Sequence, residues 1–277
     1  MNIVVIGAGS MGRGIAVSCL KSKCKVSIVD TSIDALKAAN AWIDSYLDKQ
    51  VEKNRISAAD ADEFKKNIDF CDNYSNIKDT DIVIEAVTEK LEVKRLVLGE
   101  AEEKLNPDIL LSNTSGLSIS SIGAKLKNPE KFMGMHFFFP AQSMKLVELT
   151  KGLVTSEETF EKTEEFSKLI KKEIVVSPEL PGFIVNRVLV PMQNEAAFLV
   201  MEGAKVEDVD KALKLGCNFP MGPLELADFV GIDIMLGTME GLYQGFKDSK
   251  YRPCPLLRNM VEAGKLGRKS GEGFYKY

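Results

Sequence analysis

Asn2-Ile3-Val4-Val5-Ile6-Gly7-Ala8-Gly9-Ser10-Met11-Gly12 is the stretch that decides the fold. The almost purely β-branched run up to Ile6 reads as a strand buried on both faces. It breaks into a glycine turn, and Arg13-Gly14-Ile15-Ala16-Val17-Ser18-Cys19-Leu20 continues with helical spacing. A second apolar run, Val26-Ser27-Ile28-Val29, ends in Asp30. Strand, glycine turn, helix, strand and acid, in that order, hold a dinucleotide. Gly7 permits the tight turn, Gly9 lets the backbone approach a pyrophosphate, and Gly12 lets the helix pack close to the strand. Backbone N–H groups at the helix start, those of Ser10 and Met11 among them, receive the phosphate charge with the helix dipole behind them. Asp30 would accept hydrogen bonds from the adenosine ribose and repel a 2′-phosphate, so the expected cofactor is NAD. Glycine turns after strands also occur without a ligand. The flanking strand and helix and the acid at the expected distance favour the cofactor. Because the strand starts at the second residue, no targeting peptide is expected.

A chain of 277 residues with 45% hydrophobic content can bury a large core and is expected to form two domains. Its net charge of −4, with Lys and Arg scattered among acids, argues against nucleic acid as the main partner. No apolar run approaches the roughly 18 to 20 residues that span a bilayer. The cysteines, Cys19, Cys24, Cys71, Cys217 and Cys254, are odd in number and widely spaced. They read as reduced thiols of a cytoplasmic protein, with neither a disulfide frame nor a metal site. The only histidine is His136, so any imidazole chemistry runs through it.

Ser32 is placed to cap a long helix through Leu47, which continues as a helical excursion to Asn67 before a strand near Ile68. Lys49, Lys53, Lys65 and Lys66 lie on the excursion and, on charge pattern alone, read as a solvated face. Asp81 to Val87 is the next buried strand and leads into a turn carrying Glu89. A helix through Leu105 follows, then the strand Ile109-Leu110-Leu111-Ser112 and the loop Asn113-Thr114-Ser115-Gly116. Ligands of open parallel sheets bind beyond the carboxyl ends of the strands, which puts Glu89 and Ser115 near the cofactor. Ser115 also reads as a helix N-cap for the residues after it. Phe132 to Pro140 climbs as a strand into three aromatics with His136 near its end. A histidine among apolar residues is commonly a core residue. Glu148, on a neighbouring strand through Lys145-Leu146-Val147-Glu148-Leu149, is a carboxylate partner that would fix its tautomer and raise its basicity. A helix from Ser156 to Lys172 and a strand at Ile174-Val175-Val176 follow. Ser177-Pro178-Glu179-Leu180-Pro181-Gly182 sets the domain boundary. This gives a dinucleotide-binding domain over 1–180 and a helical domain over 181–277. The latter is expected as helices Phe183 to Glu202, Val206 to Leu215, Leu224 to Met239 and Pro255 to Ala263.

Together these segments resemble the L-3-hydroxyacyl-CoA dehydrogenases, specifically the short single-function bacterial type. The resemblance spans the chain. It rests on the glycine turn, Asp81 to Glu89, Ser112-Asn113-Thr114-Ser115, and Gly134-Met135-His136-Phe137-Phe138 with Lys145 to Glu148. It also takes in Pro181-Gly182-Phe183-Ile184-Val185-Asn186-Arg187, Pro220-Met221-Gly222-Pro223 and Gly267 to Tyr275. It implies an α/β Rossmann-like parallel-sheet domain followed by an all-α dimerisation domain, with an acyl-CoA thioester in the cleft between them and a homodimer formed through the helical part.

The resemblance further implies that His136 is the catalytic acid/base and Glu148 its partner. Ser115 and Asn186 would hydrogen-bond the reacting part of the substrate. Glu89, Lys94, Ser115 and Lys269 would border the cofactor, and Lys53 would meet the CoA phosphates, with Ser45 or Tyr46 as the neighbouring hydroxyl. The family's pattern is His-Phe-Phe-Asn-Pro, and this chain has Phe139 where the asparagine stands, a position that contacts the cofactor near the nicotinamide ribose. Two rival readings are a related NAD enzyme acting on a free hydroxy acid or carnitine-like substrate, and a non-catalytic NAD-binding protein resembling certain lens crystallins. Ser115, His136, Glu148 and Asn186, all present, weigh against the second.

Overall fold

The computed structural model describes residues 1–277 and divides into two compact units, Met1–Glu179 and Leu180–Tyr277. In the first, β1 (Asn2–Ile6), β2 (Lys25–Val29), β3 (Ile68–Cys71), β4 (Ile82–Glu85), β5 (Ile109–Ser112), β6 (Phe132–Phe137), β7 (Leu146–Lys151) and β8 (Glu173–Val176) form one sheet in the order β3-β2-β1-β4-β5-β6-β7-β8. The chain starts at β1, builds outward through β2 and β3, then crosses back to lay β4 on the other side of β1. That reversal opens a crevice beyond the carboxyl ends of β1 and β4, where open α/β sheets bind ligands. β1 to β6 pair in parallel, whereas β7 runs antiparallel to β6. Residues 138–145 are too few for the crossover that a parallel neighbour needs, so the chain folds straight back. In that register His136 lies directly opposite Glu148.

The glycine turn leads into α1 (Ser10–Leu20), which buries Ile15, Ala16, Cys19 and Leu20 against Val5, Ile28 and Ile84. The excursion is α2 (Ile33–Glu52) and α3 (Ala58–Lys66), and Ser32 caps α2 by accepting from the Ala35 N–H, 3.2 Å. α4 (Leu91–Leu105), the short α5 (Ile119–Gly123) and α6 (Glu157–Leu169) complete the unit. α6 stops short of the expected Lys172: Lys171 adopts φ 57°, which reverses the backbone into β8.

The second unit is helical: α7 (Val185–Met201), α8 (Val206–Gly216), α9 (Pro223–Val230), α10 (Ile232–Phe246) and α11 (Pro255–Glu262). The single helix expected from Leu224 to Met239 is thus two. Gly231, at φ 115°, breaks it, and a Cβ there would sit 2.9 Å from both Asp233 Oδ1 and Lys269 Nζ. Ala197, Ala227, Ile232, Met235, Met239 and Leu257 form the core. The carboxyl-terminal tail is held on α9 by the buried Asp228, which accepts from the N–H groups of Phe274 and Tyr275, both 2.9 Å. No helix is long and apolar enough to cross a membrane.

Candidate active site

The dinucleotide cradle forms from local sequence. Gly7 turns at φ 109° and donates its N–H to the Val29 carbonyl, 2.8 Å, tying β1 to the end of β2. A Cβ on Gly12 would lie 1.8 Å from the Gly7 oxygen, so α1 can start this close to β1 only with glycine there. A Cβ on Gly9 would meet nothing within 4 Å, so this stretch of backbone is open to a ligand. No side chain caps α1, which leaves the N–H groups at its start, around Ser10 and Met11, to an anion. Asp30 accepts from the Ala8 N–H through Oδ2 and from the Ser32 N–H through Oδ1, both 2.9 Å. Gly7, Gly9 and Asp30 line a cavity of about 600 Å³ with Tyr74, Val93 and Val97. A glycine floor, a helix start and a carboxylate in one cavity fit a dinucleotide.

Beside the cradle is a buried polar network. Glu85, at the end of β4, accepts from Lys94 Nζ (2.7 Å), the Val87 N–H (2.7 Å) and Ser112 Oγ (2.6 Å). Burial pushes its carboxyl up from the usual range even though Lys94 pulls it down. Lys94 is 1% exposed and also pairs with Glu89 Oε2 at 3.1 Å. The lysine expected to border the cofactor thus spends its ammonium on these two carboxylates. Glu89 in turn accepts from Thr114 Oγ1 (2.5 Å) and the Ser115 N–H (2.8 Å), so it fixes the loop that carries Ser115. The N-cap of α5 is Ser118, not Ser115.

His136 and Glu148 are both buried, and Nδ1 lies 2.9 Å from Glu148 Oε2. With a carboxylate as acceptor, Nδ1 carries the hydrogen and Nε2 becomes the basic nitrogen of the neutral ring. Asn113 Oδ1 accepts from the Phe137 N–H, 2.8 Å, and so joins the Ser115 loop to the strand of His136. In the second unit Asn186 is near the start of α7, and Lys269 bonds Asp233 Oδ1 at 2.5 Å. Lys53 is exposed just after α2, as charge pattern alone suggests. Of the two hydroxyls near it in sequence, that of Tyr46 accepts from Lys21 Nζ, 2.7 Å. Sequence reasoning missed Glu85, Ser112, Asn113 and Tyr74. A charged residue ending an otherwise aliphatic strand was the available signal for Glu85.

Residues 2–180 match the model of the 3-hydroxyacyl-CoA dehydrogenase NAD binding domain, and residues 182–277 that of the same family's C-terminal domain. The chain belongs to the 3-hydroxyacyl-CoA dehydrogenase family. It is 46% identical over 275 residues to a 3-hydroxybutyryl-CoA dehydrogenase of Bradyrhizobium diazoefficiens, covering 99% of this chain and 94% of that one. A 3-hydroxybutyryl-CoA dehydrogenase of Clostridioides difficile is 44% identical over 282 residues, covering 100% and 99%. The solved structure of (S)-3-hydroxybutyryl-CoA dehydrogenase from Ralstonia eutropha superposes with a TM-score of 0.94 at 44% identity, covering 100% of this chain and 98% of that one. As a member of the family the protein is an NAD-dependent oxidoreductase, and its cradle takes NAD.

Two variants probe the cradle. Asp30→Ala removes the acceptor expected for the ribose and the tie to Ala8. It should weaken NADH binding about tenfold and narrow the preference over NADPH. Dissociation constants for both cofactors check this, and an unchanged ratio would contradict the role given to Asp30. Phe139, which the resemblance places near the nicotinamide ribose, is 50% exposed and would offer the cofactor only apolar area, where asparagine would offer a donor and an acceptor. Phe139→Asn should lower KM for NADH about three- to tenfold, roughly 1 kcal/mol, with kcat held or raised. Unchanged or poorer NADH kinetics would show that the site has adapted to the phenylalanine.

Proposed function

We propose that the protein interconverts (S)-3-hydroxybutyryl-CoA and acetoacetyl-CoA. The single observation that carries the reading is the buried His136–Glu148 pair, built into the register of β6 and β7 beside the Ser115 loop. NAD, when bound, supplies the hydride acceptor for oxidation at the third carbon. His136 takes the hydroxyl proton on Nε2, because Nδ1–H is committed to Glu148. Glu148 stabilises the imidazolium that results, and in the reverse direction that imidazolium returns the proton. Ser115 and Asn186 are assigned the substrate's hydroxyl and thioester carbonyl, which is positioning rather than bond-making. Glu89 and Lys269 are assigned to the cofactor, with Lys94 supporting Glu89, and Lys53 to the CoA phosphates. The relatives' names support the four-carbon substrate.

The helical unit keeps apolar side chains on its surface, Val188 at 69% and Leu215 at 77% exposure, which supports a homodimer formed through it. Free thiols at all cysteine positions support a cytoplasmic setting. NADH oxidation with acetoacetyl-CoA against longer 3-oxoacyl-CoA thioesters tests the substrate. The four-carbon thioester should give the highest kcat/KM, and preference for a long chain would overturn that choice. Light scattering should return twice the chain mass.

A further inference from the structure

Lys172 precedes β8, and its side chain turns inward, leaving the residue 8% exposed. Its Nζ donates to the carbonyls of Ala141 (2.6 Å) and Met144 (2.7 Å) and lies 5.8 Å from the centroid of the Phe137 ring. These carbonyls belong to the turn that follows β6, in which the N–H groups of Ser143 and Met144 both donate to the Pro140 oxygen, 3.0 Å. The Ala141 carbonyl also accepts from Ser18 Oγ on α1, 3.1 Å. Turn and helix touch closely there: a Cβ on Gly14 would lie 2.8 Å from Gln142 Oε1 and 3.1 Å from the Ala141 Cβ. Lys172 therefore ties the turn that ends the His136-Phe137-Phe138-Phe139 segment to the start of β8, while Ser18 and, at 3.4 Å through the Gln142 carbonyl, Lys21 tie the same turn to the cradle helix. Burying an ammonium with no carboxylate partner carries a desolvation penalty that a methionine of similar length would avoid. Packing alone does not account for lysine here.

We propose that Lys172 is a positioning residue of the reaction: its bonds to Ala141 and Met144 set the end of the His136 strand relative to α1 and, through Phe139, the grip on NADH. This rests on the dehydrogenase reading. Burial, with the charge of Lys21 just after α1 adding to it, brings the ammonium down to about 8. Burial raises the Cys19 thiol, which stays neutral. From β6 the Phe137 ring faces the ammonium, and the flanking Lys145, Lys171 and Glu173 are exposed. Above about pH 8 the group becomes a neutral amine and a weaker donor, so the turn loosens. The stability sign is opposite. A lysine lowered in the folded state destabilises it below that pH, and the penalty fades as pH rises toward the ordinary lysine value. Grip and stability thus move in opposite directions, which a merely structural lysine would not produce.

The test is the dissociation constant of NADH, read by fluorescence between about pH 7 and 9.5, for the wild type, Lys172→Met, Lys172→Arg and Ser18→Ala. The wild-type constant should rise about three- to tenfold across the range. Lys172→Met should show the raised constant already at pH 7 and stay flat. Lys172→Arg, charged throughout, should also be flat, and Ser18→Ala should shift upward at pH 7 by less. Wild-type affinity in Lys172→Met at pH 7 would overturn the proposal. If that variant does not fold, a wild-type pH profile retained in Lys172→Arg, or unchanged affinity in Ser18→Ala, would do so. NADH binding needs no thioester, so failure with acyl-CoA at normal NADH affinity would fault the substrate reading and leave this test standing.

Discussion

Alanine at position 136 is expected to lower kcat by about a hundred- to ten-thousand-fold while NADH still binds. The imidazole is the protein's only histidine, and no other residue in the site is given the proton-transfer role. NADH affinity should survive because the cradle of Gly7, Gly9, Gly12 and Asp30 is built on β1, α1 and β2, while His136 stands on β6. Stopped-flow NADH oxidation with acetoacetyl-CoA, beside a fluorescence titration with NADH, separates the two effects. Retention of more than about a tenth of the wild-type rate would reject His136 as the proton carrier. Glu148 acts through that ring, so Glu148→Gln should reduce kcat by less than the histidine variant.

The second large effect is on stability. Lys94→Met should cost about 3 to 5 kcal/mol, the range for breaking a buried ion pair from one side. Glu85 would then keep only Ser112 and the Val87 N–H in a fully buried position. Its carboxyl is already raised by burial and would rise further without the ammonium. A folded-state acid raised above its unfolded value binds more protons than the unfolded chain, so stability falls as pH increases. The deficit of Lys94→Met should therefore shrink on moving from about pH 8 toward pH 5, because the native carboxyl takes up a proton. Urea unfolding at both pH values measures it, and Glu85→Gln combined with Lys94→Met should recover much of the loss. A deficit below about 1 kcal/mol with no pH dependence would mean the pair is not a significant tie. The single variant should also lower kcat, since Glu89 loses a partner and the Ser115 loop depends on Glu89.

The cradle was legible because its parts are local: β1, the glycines, α1 and Asp30 succeed one another within one supersecondary unit. His136 and Glu148 were legible because short antiparallel neighbours pair predictably, and the connection between them is short. Other features depend on contacts that spacing does not encode. Lys94 lies nine positions from Glu85, on the far side of a turn, and only the docking of α4 on the sheet brings them to 2.7 Å. Gly231 is flanked by apolar residues that keep helical periodicity, so the break between α9 and α10 left no mark in the pattern. Lys172 looked like the last residue of a charged helix, and the left-handed turn at Lys171 is what points it inward. For Asn186 and Lys269 the roles still come from the resemblance alone.

NAD-linked chemistry on a CoA thioester, with His136 as the proton carrier, is open to direct measurement. The most direct measurement is NADH consumption by the wild type with acetoacetyl-CoA and, in parallel, with free acetoacetate at equal concentration. The thioester should turn over, the free acid little or not at all, and the thioester activity should be lost in His136→Ala. Equal turnover of the free acid, or no consumption of the thioester by a protein that binds NADH, would contradict that chemistry.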